Sequence, residues 1–235
     1  MSKLFDEETV NELKRIFSSL RRDLKDILVV EETSEHGIVN KCPTCPEAVE
    51  LARELNWISD GKLVFEILYG IDKAKNIRPR YLPAFIYDTK ARNIRYYGLP
   101  SGQEFAPFIY VHKYISDGAK LSPDLSEEIE SIETPLHIRI FVTPECPYCP
   151  IVVDFLNQAG VINSNLLIDT IEAFEHPYEA DKYMVQYVPF IAITRIEDYE
   201  IYGARPVETI PGYLPPEDIV VVLKRAERKI RQMYR

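Results

Sequence analysis

The sequence predicts an α/β chain of two tandem units, each a central mixed sheet flanked by helices, and three observations carry that prediction. The length of 235 residues suits two small domains, because compact domains commonly run to roughly 100 to 200 residues. Two near-identical segments, Cys42-Pro43-Thr44-Cys45-Pro46 and Cys146-Pro147-Tyr148-Cys149-Pro150, stand 146 − 42 = 104 positions apart. The offset then recurs: Tyr81-Leu82-Pro83 matches Tyr187-Val188-Pro189 at 106, and Tyr97-Gly98 matches Tyr202-Gly203 at 105. Self-similarity at one offset is the mark of a duplication.

Each half reads as the same series of elements. Phe5 to Leu20 places Val10, Leu13, Ile16, Phe17 and Leu20 at helical spacing behind Asp6, whose carboxylate can cap free N–H groups. Ile27 to Val30 is a short apolar run expected to be a buried strand, the first cysteine motif opens a helix to about Leu55, and Leu63 to Tyr69 is a second strand. Pro83 introduces a strand over Ala84 to Tyr87, Ile94 to Tyr97 is its hairpin partner, and Glu104 to Ile115 closes the half as a helix. In the second half Ser122-Pro123 caps and starts a helix, proline being favourable at the first helical position. His137 to Val142 is a strand leading to Cys146, and the helix that follows is expected to end at Gly160, acting as its terminating glycine. Leu166 to Ile171 is a strand, Tyr178 to Met184 a short helix, Phe190 to Tyr202 a hairpin, and Glu217 to Met233 the last helix. The polar stretch Ser116-Asp117-Gly118-Ala119-Lys120 sets the expected boundary, giving units 1–118 and 119–235.

Composition narrows the function. Hydrophobic residues make up 46% and charged ones 28% of the chain, a globular balance rather than a disordered one. The net charge of −9, with both signs interleaved, argues against nucleic acid as a partner. No run approaches the roughly 18 apolar residues of a membrane span, and the first residues, MSKLFDEETV, lack the apolar core of a secretory signal. A soluble, cytoplasmic protein is the expectation. Seventeen prolines against nine glycines stiffen loops, as heat-stable proteins do.

A strand, a CxxC helix, a strand, an X-Pro, a hairpin and a closing helix are the parts of a thioredoxin fold, and both halves look like thioredoxin or glutaredoxin units. The tandem pair, CPTC in one half and CPYC in the other, is similar to the protein disulfide oxidoreductase family of thermophilic archaea and bacteria, relatives of protein disulfide isomerase. The resemblance covers nearly the whole chain. It implies disulfide exchange by two redox dithiols, without a bound cofactor, on protein substrates. It also implies an NADPH-dependent thioredoxin reductase as the partner that recharges them, and cis Leu82-Pro83 and Val188-Pro189 bonds facing the cysteines, where an extended substrate segment would pair. CPYC is the pair of glutaredoxins, whose potentials of about −200 to −230 mV are more oxidising than the value of about −270 mV for thioredoxin.

The residues suit that chemistry. Exchange needs a thiolate, and a helix N-terminus, with its free N–H groups and positive dipole end, can lower a cysteine pKa to about 3.5–7.5. Cys42 and Cys146 are placed to attack; Cys45 and Cys149, three residues on, turn inward and resolve the mixed disulfide. Tyr148 is either a recognition surface or an exposed aromatic beside the sulfur. Two CxxC knuckles could instead hold structural zinc in a non-catalytic scaffold, but 104 residues between them is far from the usual spacing of about 15 to 20. Static disulfides would stabilise little, since so small a ring removes little chain entropy. His36, His112, His137 and His176 show no ligand spacing and read as surface or supporting groups.

The halves differ before their cysteines. Val142 stands four residues before Cys146, whereas Val30 stands twelve before Cys42. Either the first strand continues through Glu31-Glu32-Thr33 or a loop with His36-Gly37 covers the first dithiol. The buried acid common beneath a thioredoxin CxxC has His36 and Ile140 at its matching positions, so Glu145 and Glu35 stand as the candidate proton-transfer groups.

Overall fold

A computed structural model describes residues 2, 4–32 and 42–233. Helix α1, Glu7–Ser18, starts where expected: Asp6 accepts the Thr9 N–H at 2.8 Å, and Val10, Leu13 and Phe17 turn inward. Strand β1, Leu24–Val30, ends at Val30 and does not run on through Glu31 and Glu32. Helix α2, Cys45–Ile58, is followed by strands β2, Leu63–Tyr69, β3, Ala84–Ile86, and β4, Ile94–Tyr97, and by helix α3, Phe105–Asp117. The second half opens with α4, Pro123–Glu130, where Ser122 caps the Leu125 N–H at 3.3 Å. Strand β5, Leu136–Val142, helix α5, Cys149–Ile162, strand β6, Leu166–Glu172, and the short helix α6, Pro177–Lys182, come next. Strands β7, Phe190–Arg195, and β8, Glu208–Pro211, and helix α7, Pro216–Met233, complete the chain.

The duplication is visible in the sheet. Its order is β2-β1-β3-β4-β6-β5-β7-β8, so each half contributes four strands. β1 pairs parallel with β2 and antiparallel with β3, as β5 does with β6 and β7, and hairpins β3–β4 and β7–β8 finish the halves. Parallel pairing of β4 with β6, from Ile94 opposite Ile168 to Tyr97 opposite Ile171, makes one eight-stranded sheet. A core on one face runs unbroken through both halves and includes all four cysteines. Phe108 of α3 is its aromatic centre in the first half, with the rings of Phe65, Phe85 and Tyr96 at 6.4, 5.0 and 6.0 Å. A smaller core on the other face gathers Tyr81, Tyr97, Phe141 and Tyr183.

Two expectations change. Gly160 does not end its helix, which runs to Ile162. A Cβ there would stand 2.8 Å from Ile94 Cγ1 and 3.0 Å from Ile168 Cγ1, so the glycine lets α5 lie close on the β4–β6 seam. The hairpin partner of β7 is not the segment ending at Tyr202. Gly98 donates to the Pro83 carbonyl at 3.0 Å and Gly212 to that of Pro189 at 2.8 Å, so Gly212, not Gly203, is the counterpart of Gly98. That pair stands 212 − 98 = 114 apart against 106 for the prolines, and the extra length holds the 3₁₀ turn Ile196–Asp198 and Tyr199.

Candidate functional site

The sheet topology brings each cysteine motif to an X-Pro bond. β5 delivers the chain at Val142 into a turn where the Cys146 N–H bonds the Thr143 carbonyl at 3.2 Å. The neighbouring β7 begins at Phe190, opposite Phe141, so the cis Val188-Pro189 bond lies at the same end of the sheet. The first half repeats this with Val29 opposite Ala84 and a cis Leu82-Pro83 bond. Cys42–Cys45 and Cys146–Cys149 are both disulfide-bonded, with Cα separations of 5.4 and 5.5 Å.

At the second dithiol the Cys149 N–H points at Cys146 Sγ from 3.1 Å, the donation that a helix start gives to an anion. Cys146 keeps 6% exposure while Cys149 has none, the direction of asymmetry expected of an attacking and a resolving cysteine. Tyr148 is 54% exposed and its ring lies 5.3 Å from that of Tyr213; exposed Tyr187 precedes Val188. Tyr148 and Tyr213 give this site an exposed apolar rim with hydroxyl tips.

The first half supplies part of this second site. The 3₁₀ turn Gly102–Glu104 packs on α5, and Gln103 donates its N–H to the Pro144 carbonyl at 2.8 Å. Gly102 has φ +56°, and a side chain there would collide with Pro144, so this contact requires glycine. Glu104 is wholly buried, neither carboxyl oxygen has a hydrogen-bond partner, and burial pushes its pKa up to about 8. A carboxyl of this kind exchanges a proton near neutral pH. Ile140, which sits at the position of the expected acid, is a buried core residue; Glu145 is exposed on the turn; Glu35, His36 and Gly37 lie outside the described residues. Glu104 is not legible in the sequence, because its burial is created by the tertiary contact of one half with the other.

The first dithiol lines an open cleft of about 850 Å³ between the halves, with Leu82 and Tyr81 on one wall and Phe174, Glu175, His176 and Tyr202 on the other. Cys42 is 3% exposed and Cys45 6%, so the expected asymmetry is missing here. Glu31 follows β1 directly; its carboxylate accepts the Cys42 N–H at 3.1 Å and its own N–H lies 3.4 Å from Cys45 Sγ. Thr44 donates its hydroxyl to Glu175 across the cleft.

Two of the described histidines are buried supporting groups, and His176 is part of the cleft wall. His112 Nε2 lies 2.8 Å from Asp26 Oδ2 and His137 Nε2 2.7 Å from Asp169 Oδ2, all four side chains being essentially inaccessible. Burial pushes His137 down to about 4 and His176 likewise to about 4, so both are neutral at pH 7. Among the described residues no group of three or more His, Cys, Asp or Glu gathers with the geometry of a metal site, and no helix is long and apolar enough to cross a membrane.

Comparison with known proteins agrees with this architecture. The fold matches a protein disulfide oxidoreductase of Aeropyrum pernix with a TM-score of 0.79, 24% identity, and coverage of 95% of this chain and 94% of that one. It also matches a subunit of the alkyl hydroperoxide reductase of Enterococcus faecalis with a TM-score of 0.74, 19% identity, and coverage of 94% and 100%. The chain thus has the tandem thioredoxin-like fold. In sequence it is 32% identical over 92 residues to a subunit of the alkyl hydroperoxide reductase of Staphylococcus epidermidis, a match that covers 39% of this chain and 18% of that protein. The match spans less than a fifth of that relative's length. No family model matches the chain.

Proposed function

We propose that the protein is a dithiol–disulfide oxidoreductase acting on protein disulfides through two CxxC sites, in units 1–118 and 119–235. The observation that carries this is the Cys149 N–H aimed at Cys146 Sγ, in a disulfide that opens a helix beside a cis X-Pro bond. Similarity to proteins named for disulfide and hydroperoxide chemistry supports the same reading.

In the reductive direction Cys146 thiolate attacks one sulfur of a substrate disulfide, forming a mixed disulfide and releasing the other sulfur as a thiolate. Cys149 then attacks Cys146 Sγ, releasing the second substrate thiol and leaving the Cys146–Cys149 disulfide seen here. Two electrons and two protons pass to the substrate. Glu104, a buried acid on the turn whose Gln103 N–H bonds the Pro144 carbonyl two residues before Cys146, is the group that takes the Cys149 proton. Backbone at Leu82 and Val188, turned by the cis Pro83 and Pro189 bonds, would pair with an extended substrate segment, and Tyr148 would cover its side chains. No cofactor need be bound, as the electrons reside in the cysteines. Recharging by an NADPH-dependent thioredoxin reductase, work on protein disulfides in the cytoplasm of a heat-adapted organism, and isomerase action are parts of the same proposal. Nucleic acid and membrane are not among the partners it names.

Insulin-disulfide reduction tests it. Wild type should turn over, Cys146→Ser should lose most of the rate, Cys42→Ser a smaller part, and the double variant all of it. A double variant with wild-type turnover would sink the enzymatic reading. A chelator that releases zinc and frees four protected thiols would favour the scaffold instead.

A further inference from the structure

The two dithiols are solvated differently. Cys146 Sγ receives the N–H of the helix start from 3.1 Å. In the first half the corresponding Cys45 N–H goes to the Cys42 carbonyl at 3.2 Å, and the Cys42 N–H goes to the Glu31 carboxylate. Thr44 precedes α2 in the N-cap position yet makes no side-chain cap bond; its hydroxyl is given to Glu175, from the second half.

Glu175 is fixed in that place. Its Oε1 accepts the Leu99 N–H at 2.6 Å, and its own N–H is held by Glu172 Oε2 at 2.7 Å. A Cβ on Gly98 would stand 3.0 Å from Glu175 Oε1, so the glycine leaves room for the carboxylate. The second half thereby sets a negative charge at the positive end of α2, where a Cys42 thiolate would need that end for itself.

The other described charges around Cys42 do not reverse this. Among the described residues of the cleft, Glu31, Glu32, Asp72 and Glu175 face a single cation, Arg80, while His176 is neutral at pH 7. Arg80 donates to the Tyr199 carbonyl and lies over the Tyr202 ring at 4.4 Å, and its one positive charge is outnumbered by these four carboxylates. Asp72 has Lys73 at 3.5 Å, which offsets its charge and leaves Glu31 and Glu175 as the carboxylates bonded to the cysteine turn itself. Like charge disfavours a thiolate, and a dithiol whose reduced anion is disfavoured is a stronger reductant.

We propose that Glu175, reaching from the second half onto Thr44, acts with Glu31 as a positioning charge that makes Cys42–Cys45 the more reducing dithiol and Cys146–Cys149 the more oxidising one. This rests on the reading of both pairs as redox dithiols. Exchange between them is balanced: a reduced first pair gives two electrons and two protons to the second disulfide, so Cys42–Cys45 closes as Cys146 and Cys149 become thiols. Electrons therefore collect on the second pair, the one with the exposed tyrosine rim.

The test uses full-length protein with one pair replaced at a time, Cys146→Ser/Cys149→Ser or Cys42→Ser/Cys45→Ser. Thiolate absorbance against pH gives the pKa of the attacking cysteine, and equilibration with dithiothreitol gives the redox constant. Cys42 is expected to titrate above Cys146, and the first pair to be the harder to reduce. In the first-pair protein Glu175→Gln should lower the Cys42 pKa by about half a unit or more and shift the dithiothreitol equilibrium about threefold toward the dithiol, with Glu31→Gln moving both the same way. Neither change should move Cys146 in the second-pair protein. Cys42 titrating at or below Cys146, or unchanged values in a folded Glu175→Gln protein, would overturn the proposal. Should Glu175→Gln not fold, an unmoved Cys42 in Glu31→Gln does so. Absent insulin reduction by wild type would instead remove the proposed function while leaving the ordering of the two titrations measurable.

Discussion

Asn93, the residue before β4, donates its side-chain amide to the carbonyl of Gly160 in α5 at 2.9 Å. The same Nδ2 reaches the Leu166 carbonyl at 2.8 Å, and the Ile168 N–H returns to the Asn93 carbonyl at 2.7 Å. One buried amide from the first half thus ends a helix and starts a strand of the second. This is the seam along which two four-stranded sheets become one.

Asn93→Ala is expected to destabilise the protein by about 2 to 3 kcal/mol, since three side-chain hydrogen bonds are lost, the Thr89 hydroxyl's donation to Oδ1 among them, and two buried carbonyls are left without donors. Urea denaturation followed by tryptophan fluorescence and by circular dichroism checks this. Because the seam is shared, both signals should still change together; a variant whose halves separate into two transitions would show that the seam is what couples them. Wild-type stability in the variant would mean that water replaces the amide.

Gly160→Ala opposes two effects of known size. Alanine favours a helix interior by about 0.8 to 1 kcal/mol over glycine. Against this, its methyl would meet Ile94 Cγ1 at 2.8 Å and Ile168 Cγ1 at 3.0 Å, carbons near the root of side chains that are themselves fully buried. Overpacking of this kind costs about 1 to 3 kcal/mol, so a net loss of roughly 1 kcal/mol is expected in thermal or urea unfolding. A stabilised variant would show that the seam can give.

The contrast between Gly160 and the cysteine motifs shows what the sequence could carry. The motifs, the X-Pro pairs and the apolar runs are local, and the strands, helices and cis prolines they indicate stand where expected, the second strand of the last hairpin excepted. Gly160 follows a helical pattern, so alone it reads as a stop; only the neighbouring β4, some 66 residues earlier in the chain, explains it. Offset alone pairs Gly203 with Gly98, but an insertion with Tyr199 shifts the hairpin and leaves Gly212 as the counterpart. Glu104, Glu31 and Glu175 carry no motif at all. Glu31 and Glu175 reach the first cysteine turn from the end of β1 and from beyond the end of β6, and Glu104 is buried on a 3₁₀ turn against α5, placements that only the tertiary fold makes.

His176 gives a pH dependence of definite sign. Its ring lies 4.9 Å from Tyr81, Nε2 has no partner, and burial lowers its pKa from 6.5 to about 4. Between those values the unfolded chain takes a proton that the folded one refuses. Stability is therefore complete above pH 6.5 and is lost as pH falls toward 4, by up to about 3 kcal/mol. His176→Phe keeps the stack on Tyr81 and removes the titration. The difference in unfolding free energy between wild type and variant should be flat above pH 6.5 and should tilt against wild type below it, with His137 common to both. A difference independent of pH would mean that His176 protonates in place.

Glu104 has the opposite sign. Its pKa rises from 4.5 to about 8 through burial, so the folded chain holds a proton that the unfolded chain has released. Stability contributed by that proton is complete below pH 4.5 and declines as pH rises to 8, beyond which the buried charge costs its full amount, on the order of a few kcal/mol. Glu104→Gln is neutral throughout. Its unfolding free energy should fall less than that of wild type between pH 5 and 8, and the two should run parallel below pH 4.5. The same substitution reports on chemistry: if Glu104 takes the Cys149 proton, insulin reduction by the second dithiol should rise with pH through 8 in wild type and lose that rise in the variant. A variant with the stability change but an unaltered rate profile would make Glu104 a buried acid with no part in exchange.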